Sequence, residues 1–90
     1  MTGFTVSCYR LGPGRRPQFA ASRHTATESV RYAIDCAVQY AFGRRAAFDH
    51  YNAKALTPAG ARGAQQGMVT PHPDAREFLV LLEVQEIHHG

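Results

Sequence analysis

Along the first residues of the chain, apolar and polar side chains alternate. Phe4, Val6 and Cys8 share one side, and Thr5, Ser7 and Tyr9 the other, the period of two expected of a strand with one buried face. The stretch Leu11-Gly12-Pro13-Gly14-Arg15-Arg16-Pro17 breaks the pattern with paired glycines and prolines, a composition that demands a turn. Beyond it, Phe19 and Ala21 alternate with Gln18, Ala20 and Ser22. The pattern predicts a β-hairpin of residues 3–11 and 17–23, with a basic tip at Arg15 and Arg16.

The period then changes. Val30, Ala33, Ile34, Ala37, Val38, Ala41 and Phe42 recur at helical spacing and form one apolar stripe. Thr25-Ala26-Thr27-Glu28 has the form of a capping box, in which the Thr25 hydroxyl and the Glu28 carboxylate satisfy each other's backbone N–H groups. A helix is therefore expected over 26–42, with Arg31 and Asp35 pairing across one turn of its outer side. Gly43 suits a helix end, and Arg44 and Arg45 suit the negative end of its dipole. Phe48 keeps the phase of Ala41 and no proline lies between Gly43 and Leu56, which predicts a bend at Gly43 and a second helical stretch over 45–55.

Residues 57–76 carry Gly60, Gly63 and the rigid run Thr70-Pro71-His72-Pro73-Asp74. Each glycine would cost about 1 kcal/mol against alanine inside a helix. The expectation is a flexible loop with a short strand near Met68-Val69-Thr70 at its end. From Glu77 to Ile87, Phe78, Val80, Leu82 and Val84 share a side, with Leu79 and Leu81 opposite, as in a strand packed centrally in a sheet. Together these elements predict a single α+β domain over 1–90. It has two layers, with the hairpin and the C-terminal strand forming an antiparallel or mixed sheet against one long helix. A hairpin strand left at the sheet edge could pair with another chain, so a homodimer is one expectation.

Composition narrows the class without naming an activity. The chain has 90 residues and is 44% hydrophobic and 19% charged, which is globular rather than disordered or coiled-coil. No run approaches the roughly 20 apolar residues of a membrane span, and the opening residues lack the basic start and apolar run of a signal peptide. A cytoplasmic location without membrane contact is expected. Cys8 and Cys36 are too few for a disulfide framework and are read as reduced. The net charge is +3, and all the basic residues except Arg76 lie within 1–62, opposed there only by Glu28, Asp35 and Asp49. A chain polarised in this way can present a basic surface to an acidic partner.

Candidate chemistry is sparse. His24, His50, His72, His88 and His89 form no His-x-x-x-His pair, and no Cys-x-x-Cys occurs, so no metal ligand set and no cofactor are expected. Gly12-Pro13-Gly14 lacks the Lys and Ser/Thr of a phosphate loop. His50 or His24 with Asp49 or Tyr51 is the single acid–base combination that suggests a hydrolase, as in small ribonucleases. The residues with outward reach are Arg15 and Arg16 at the hairpin tip, Arg44 and Arg45 at the helix end, and Tyr32 and Tyr40 off the apolar stripe. Tyr and Arg are the side chains that interfaces favour.

The leading expectation is a small non-enzymatic binding protein that docks on a protein or nucleoprotein complex with an acidic surface. The order hairpin, helix, strand recurs in many small proteins, including phage and mobile-element accessory proteins that inhibit host nucleic-acid-handling machinery, and an inhibitor of that type is one version of this expectation. A second reading is direct DNA or RNA binding through the basic hairpin and helix face. A third, more distant, is a small nuclease-type toxin.

Overall fold

In the computed structural model, residues 2–88 are described, apart from the side chain of Arg15. His89 lies outside them. Strand β1 (Thr2–Leu11) turns through a 3-10 segment at Pro13–Arg15 into β2 (Pro17–Thr25). Helix α1 (Val30–Phe42) follows, and then two short strands, β3 (Ala47–Phe48) and β4 (Lys54–Ala55). Strands β5 (Ala64–Thr70) and β6 (Phe78–His88) complete the chain. All six strands form one sheet in the order β2-β1-β6-β5-β3, with β4 also on β5, and every pairing is antiparallel. The fold is the expected two-layer α+β arrangement, with hairpin and C-terminal strand in the sheet and one helix packed against it.

The hairpin forms over the expected residues, but Phe19 and Ala21, expected on one side of its second strand, face opposite sides, because a bulge shifts the register and pairs Phe19 with Tyr9 and Ala21 with Cys8. Gly14 sits in the turn at φ 76, a left-handed conformation that glycine adopts without strain. Phe4, Val6 and Cys8 from β1 are fully buried with Ile34 and Val38 from α1, Val69 from β5, and Val80 and Leu82 from β6. Burying a side chain of this size contributes about 1.5–3 kcal/mol, so this layer is the main source of stability. Val30 and Phe42, at the two ends of the helical stripe, are only partly buried. Phe42 instead meets Phe78 edge-to-face at 5.1 Å.

Three expectations are corrected. The helix begins at Val30, not at residue 26, and its N-cap is Ser29, whose Oγ accepts from Tyr32 N at 3.1 Å. Thr25 cannot cap the helix because it is the last residue of β2, paired opposite Phe4. The chain uses residues 26–29 to swing from the sheet edge onto its face, and Thr27 Oγ1 accepts from Ser29 N within that turn.

No helix forms over 45–55. Gly43 ends α1 at φ 119, with its N–H donating to Gln39 O. Phe48 then points into the core beside buried Ala46. Asp49 accepts from Tyr51 N, Asn52 N and Asn52 Nδ2, and these bonds to its charged form hold its carboxyl below the usual range. They close a local turn of the kind Asp offers in competition with a helix.

Residues 57–76, expected as one loop with a short strand near 68–70, contain the whole of β5. That strand is hydrogen-bonded between β6 on one side and β3 and β4 on the other. Its inward positions are Gln65, Gly67 and Val69. Gly67 is required by close approach, because a Cβ there would lie 2.8 Å from the ring of Phe48. Gln65 is buried but donates from Nε2 to Ala61 O, so its burial leaves that donor satisfied.

Candidate functional site

The outer side of α1 and the edge strand β2 meet in a groove of about 520 Å³ lined by Arg23, Cys36, Gln39, Tyr40 and Arg44. Tyr40 is 62% exposed. The guanidinium of Arg23 stands over its ring, 5.1 Å from the centroid, which is cation–π geometry. Two helical turns back from Tyr40, the Tyr32 hydroxyl hydrogen-bonds Cys36. That bond raises the tyrosine pKa against the opposing pull of the Arg23 charge. Tyr32 therefore extends the groove toward the start of the helix, and its lining holds no carboxylate.

The structure brings Tyr40 and Arg44 together, with Tyr32 alongside, and separates the other candidates from them. Arg45 turns away and donates from Nη1 to His72 Nε2 at 2.8 Å. Arg16 is exposed on the hairpin tip and does not line the groove. The side chain of Arg15 lies outside the described residues. Arg23 is the member absent from the candidate set. The sequence places it only beside the hairpin, and its signal was its phase. Paired opposite Val6, it lies on the same side of the sheet as the helix.

A second cluster joins α1 to the turn after β3. His50 Nε2 donates to Asp35 Oδ1 at 2.6 Å, with the imidazole 17% exposed. Its ring meets Phe48 edge-to-face. Arg31, Phe48, Asp49, His50 and Tyr51 line a neighbouring depression of about 570 Å³. Asp35 thus binds a histidine across the fold instead of pairing with Arg31 on its own helix. A histidine oriented by a carboxylate is one half of an acid–base site. Here the bond also ties the β3–β4 segment to α1. His24 and Asp49, the other partners offered by the sequence, do not join this pair. His24 Nδ1 contacts Thr5 Oγ1, and Asp49 closes its own turn.

The face of the sheet opposite α1 carries a shallow depression of about 310 Å³ lined by Thr5, Ser7, Tyr9, Glu83, Val84 and Gln85. Tyr9 hydrogen-bonds Glu83, which raises the tyrosine pKa. It also packs edge-to-face on Phe19 at 5.5 Å.

Compared with known families, curated proteins and solved structures, the chain matches none. Among the described residues, no helix is long and apolar enough to cross a membrane, and no three His, Cys, Asp or Glu side chains converge as a metal site.

Proposed function

We propose that this chain is a small, non-enzymatic binding protein that docks on an acidic protein surface through the groove between α1 and β2. The observation that carries this reading is the Arg23–Tyr40 stack beside Arg44, in a groove whose lining holds no carboxylate. An exposed cation–π contact contributes about 0.5–1 kcal/mol, and about 2 kcal/mol once a partner excludes water from it. Guanidinium groups held against an aromatic ring are also partly ordered before binding, which lowers the entropy cost of engaging a carboxylate.

A protein partner is favoured over nucleic acid by how the fold disperses the other cations. The Arg10 guanidinium lies 4.1 Å above Phe78, Arg45 bonds His72, and Arg62 pairs with Glu86 at 2.6 Å. These three are held by partners outside the groove and do not extend Arg23 and Arg44 into a track along which a phosphate backbone could run.

The test uses the partner recovered from native cells by pull-down and mass spectrometry. Arg23→Ala and Tyr40→Ala should each weaken it by about tenfold or more, while the melting temperature falls by only a few degrees, the share of the lost cation–π contact. Arg76→Ala, an exposed residue outside the groove, is the control. A mobility-shift titration at low salt should give no complex with duplex or single-stranded nucleic acid. A complex that dissolved steeply with added salt would replace this reading with phosphate binding.

A further inference from the structure

The two long borders of the sheet are finished differently. On the β5 side, β3 and β4 occupy the outer backbone, and the turn between them adds Asp49 N donating to Met68 O at 2.9 Å. Leu56 N donates to Ala64 O at the same distance. On the other side, β2 is the last strand, and no described element pairs with its outer backbone. An edge strand of this kind presents a row of backbone N–H and C=O groups to any extended chain of suitable chemistry. Proteins that keep such an edge idle interrupt it with charged side chains, proline or a bulge. After Pro17, β2 has no proline, and its one arginine, Arg23, faces the helix and stands over the Tyr40 ring instead of crossing the outer backbone. Its bulge falls where the register with β1 shifts between Cys8 and Tyr9, which leaves Ala21–Thr25 in regular pairing.

The surroundings of Ala21–Thr25 say what would lie there. Tyr32 and Tyr40 flank the edge on the helix side and Phe19 on the other, and these are three of the five large apolar side chains that the described surface exposes. Side chains of an added strand alternate in direction, so every second one would enter the groove beside Arg23 and Arg44. A second copy of this chain would bring the same cations against themselves, because β2 carries Arg23 and His24 and no carboxylate. Charge complementarity therefore selects a different, acidic chain.

We propose that the Ala21–Thr25 edge of β2 is a docking site for an extended, acidic segment of a partner protein, which adds to the sheet as a further strand and places alternate carboxylates in the α1–β2 groove. This is recognition by β-strand addition, with backbone bonds supplying affinity and the groove supplying specificity. The inference rests on the groove reading above and deepens it.

The probe is a synthetic peptide of about ten residues, near the upper usual strand length, in which Glu alternates with Thr and Val. It is titrated into the full chain while amide exchange is followed residue by residue. We expect saturable binding, with exchange slowed at Ala21–Thr25. Affinity should fall by about tenfold or more in Arg23→Ala. Two further peptides carry N-methyl groups on one or the other set of alternate residues, and only the set facing β2 should abolish binding. If Arg23→Ala weakens the peptide but neither N-methylated peptide loses affinity and the β2 amides exchange as before, strand addition is overturned and the groove reading stands. If the peptide fails to bind, or binds indifferently to Arg23→Ala and Tyr40→Ala, both fall. Sedimentation of the peptide-free chain as a dimer, with its β2 amides already slowed, would give the edge to a second copy and overturn the proposal.

Discussion

Each central strand of this sheet has two sides with opposite fates. On β1, Phe4, Val6 and Cys8 are fully buried beneath α1. Their neighbours Thr5, Ser7 and Tyr9 line an open depression, where Ser7 and Ser22 share a hydroxyl bond at 3.1 Å. Strand β6 repeats the contrast, with Val80 and Leu82 buried and Glu83 exposed. The covered side is where stability is made, because its side chains leave water and pack at the density of a solid. The open side, like the β2 edge, keeps groups available for contact and gives up little when they change. A single residue step along one strand should therefore separate large effects on folding from small ones.

The largest effect should come from charging the covered side. Ile34→Asp places a carboxylate, without a partner, where the side chain is 1% exposed. The expected cost is about 4 kcal/mol or more, comparable with the whole stability of a domain this size. Urea unfolding monitored by circular dichroism should find little or no native state. A cooperative transition near that of the wild type would break the comparison.

Next comes Gly67→Val. A β-branched residue normally favours a strand over glycine. Here the added Cβ meets Phe48 at 2.8 Å, and overpacking of this kind costs about 1–3 kcal/mol. The sign is diagnostic, and combining the change with Phe48→Ala should be less costly than the two separate losses added together. Additive losses would mean that the ring does not enforce the glycine.

A graded effect should follow pH. Burial pushes the Cys8 thiol up from 9.0 to about 12. The folded state thus holds its proton to higher pH than the unfolded state does. The stability linked to Cys8 is full below about pH 9 and declines as pH rises toward about 12, by on the order of 1 kcal/mol at pH 10. Comparing unfolding at pH 8 and 10 for the wild type and Cys8→Ala isolates this contribution. An identical pH slope in the two proteins would show that the thiol is not shielded. Cys36, partly exposed at the groove, should react with a thiol reagent in the native state, with Cys8 reacting only on unfolding.

The smallest effect should be Ser7→Ala on the open side. It removes an exposed hydroxyl pair and should shift stability by about 0.5 kcal/mol or less. A loss of several times that value, read from the same urea curves, would mean that the open face is covered in solution and that the contrast between the two sides is smaller than the isolated chain shows.

The local pattern of side chains was enough to place the hairpin, the apolar stripe of the helix and the C-terminal strand, since each rests on a repeat of two or 3.6 residues readable within a short window. It also determined which residues of β1, α1 and β6 form the centre of the core. The packing of the whole chain, and no local pattern, produced β3, β4 and β5. The inward positions of β5 are Gln65, Gly67 and Val69, which carry no hydrophobic alternation, because Phe48 fills from across the sheet the space that a β5 side chain would otherwise take. It also decided the candidate groove. Tyr40 and Arg44 were legible as outward residues, but Arg23 joins them only because α1 lies across β2, and Asp35 meets His50 only because the chain reverses at Gly43. Such contacts join residues far apart in sequence, and no local period encodes them. They arise when elements formed on local patterns find the one packing that buries their apolar sides together.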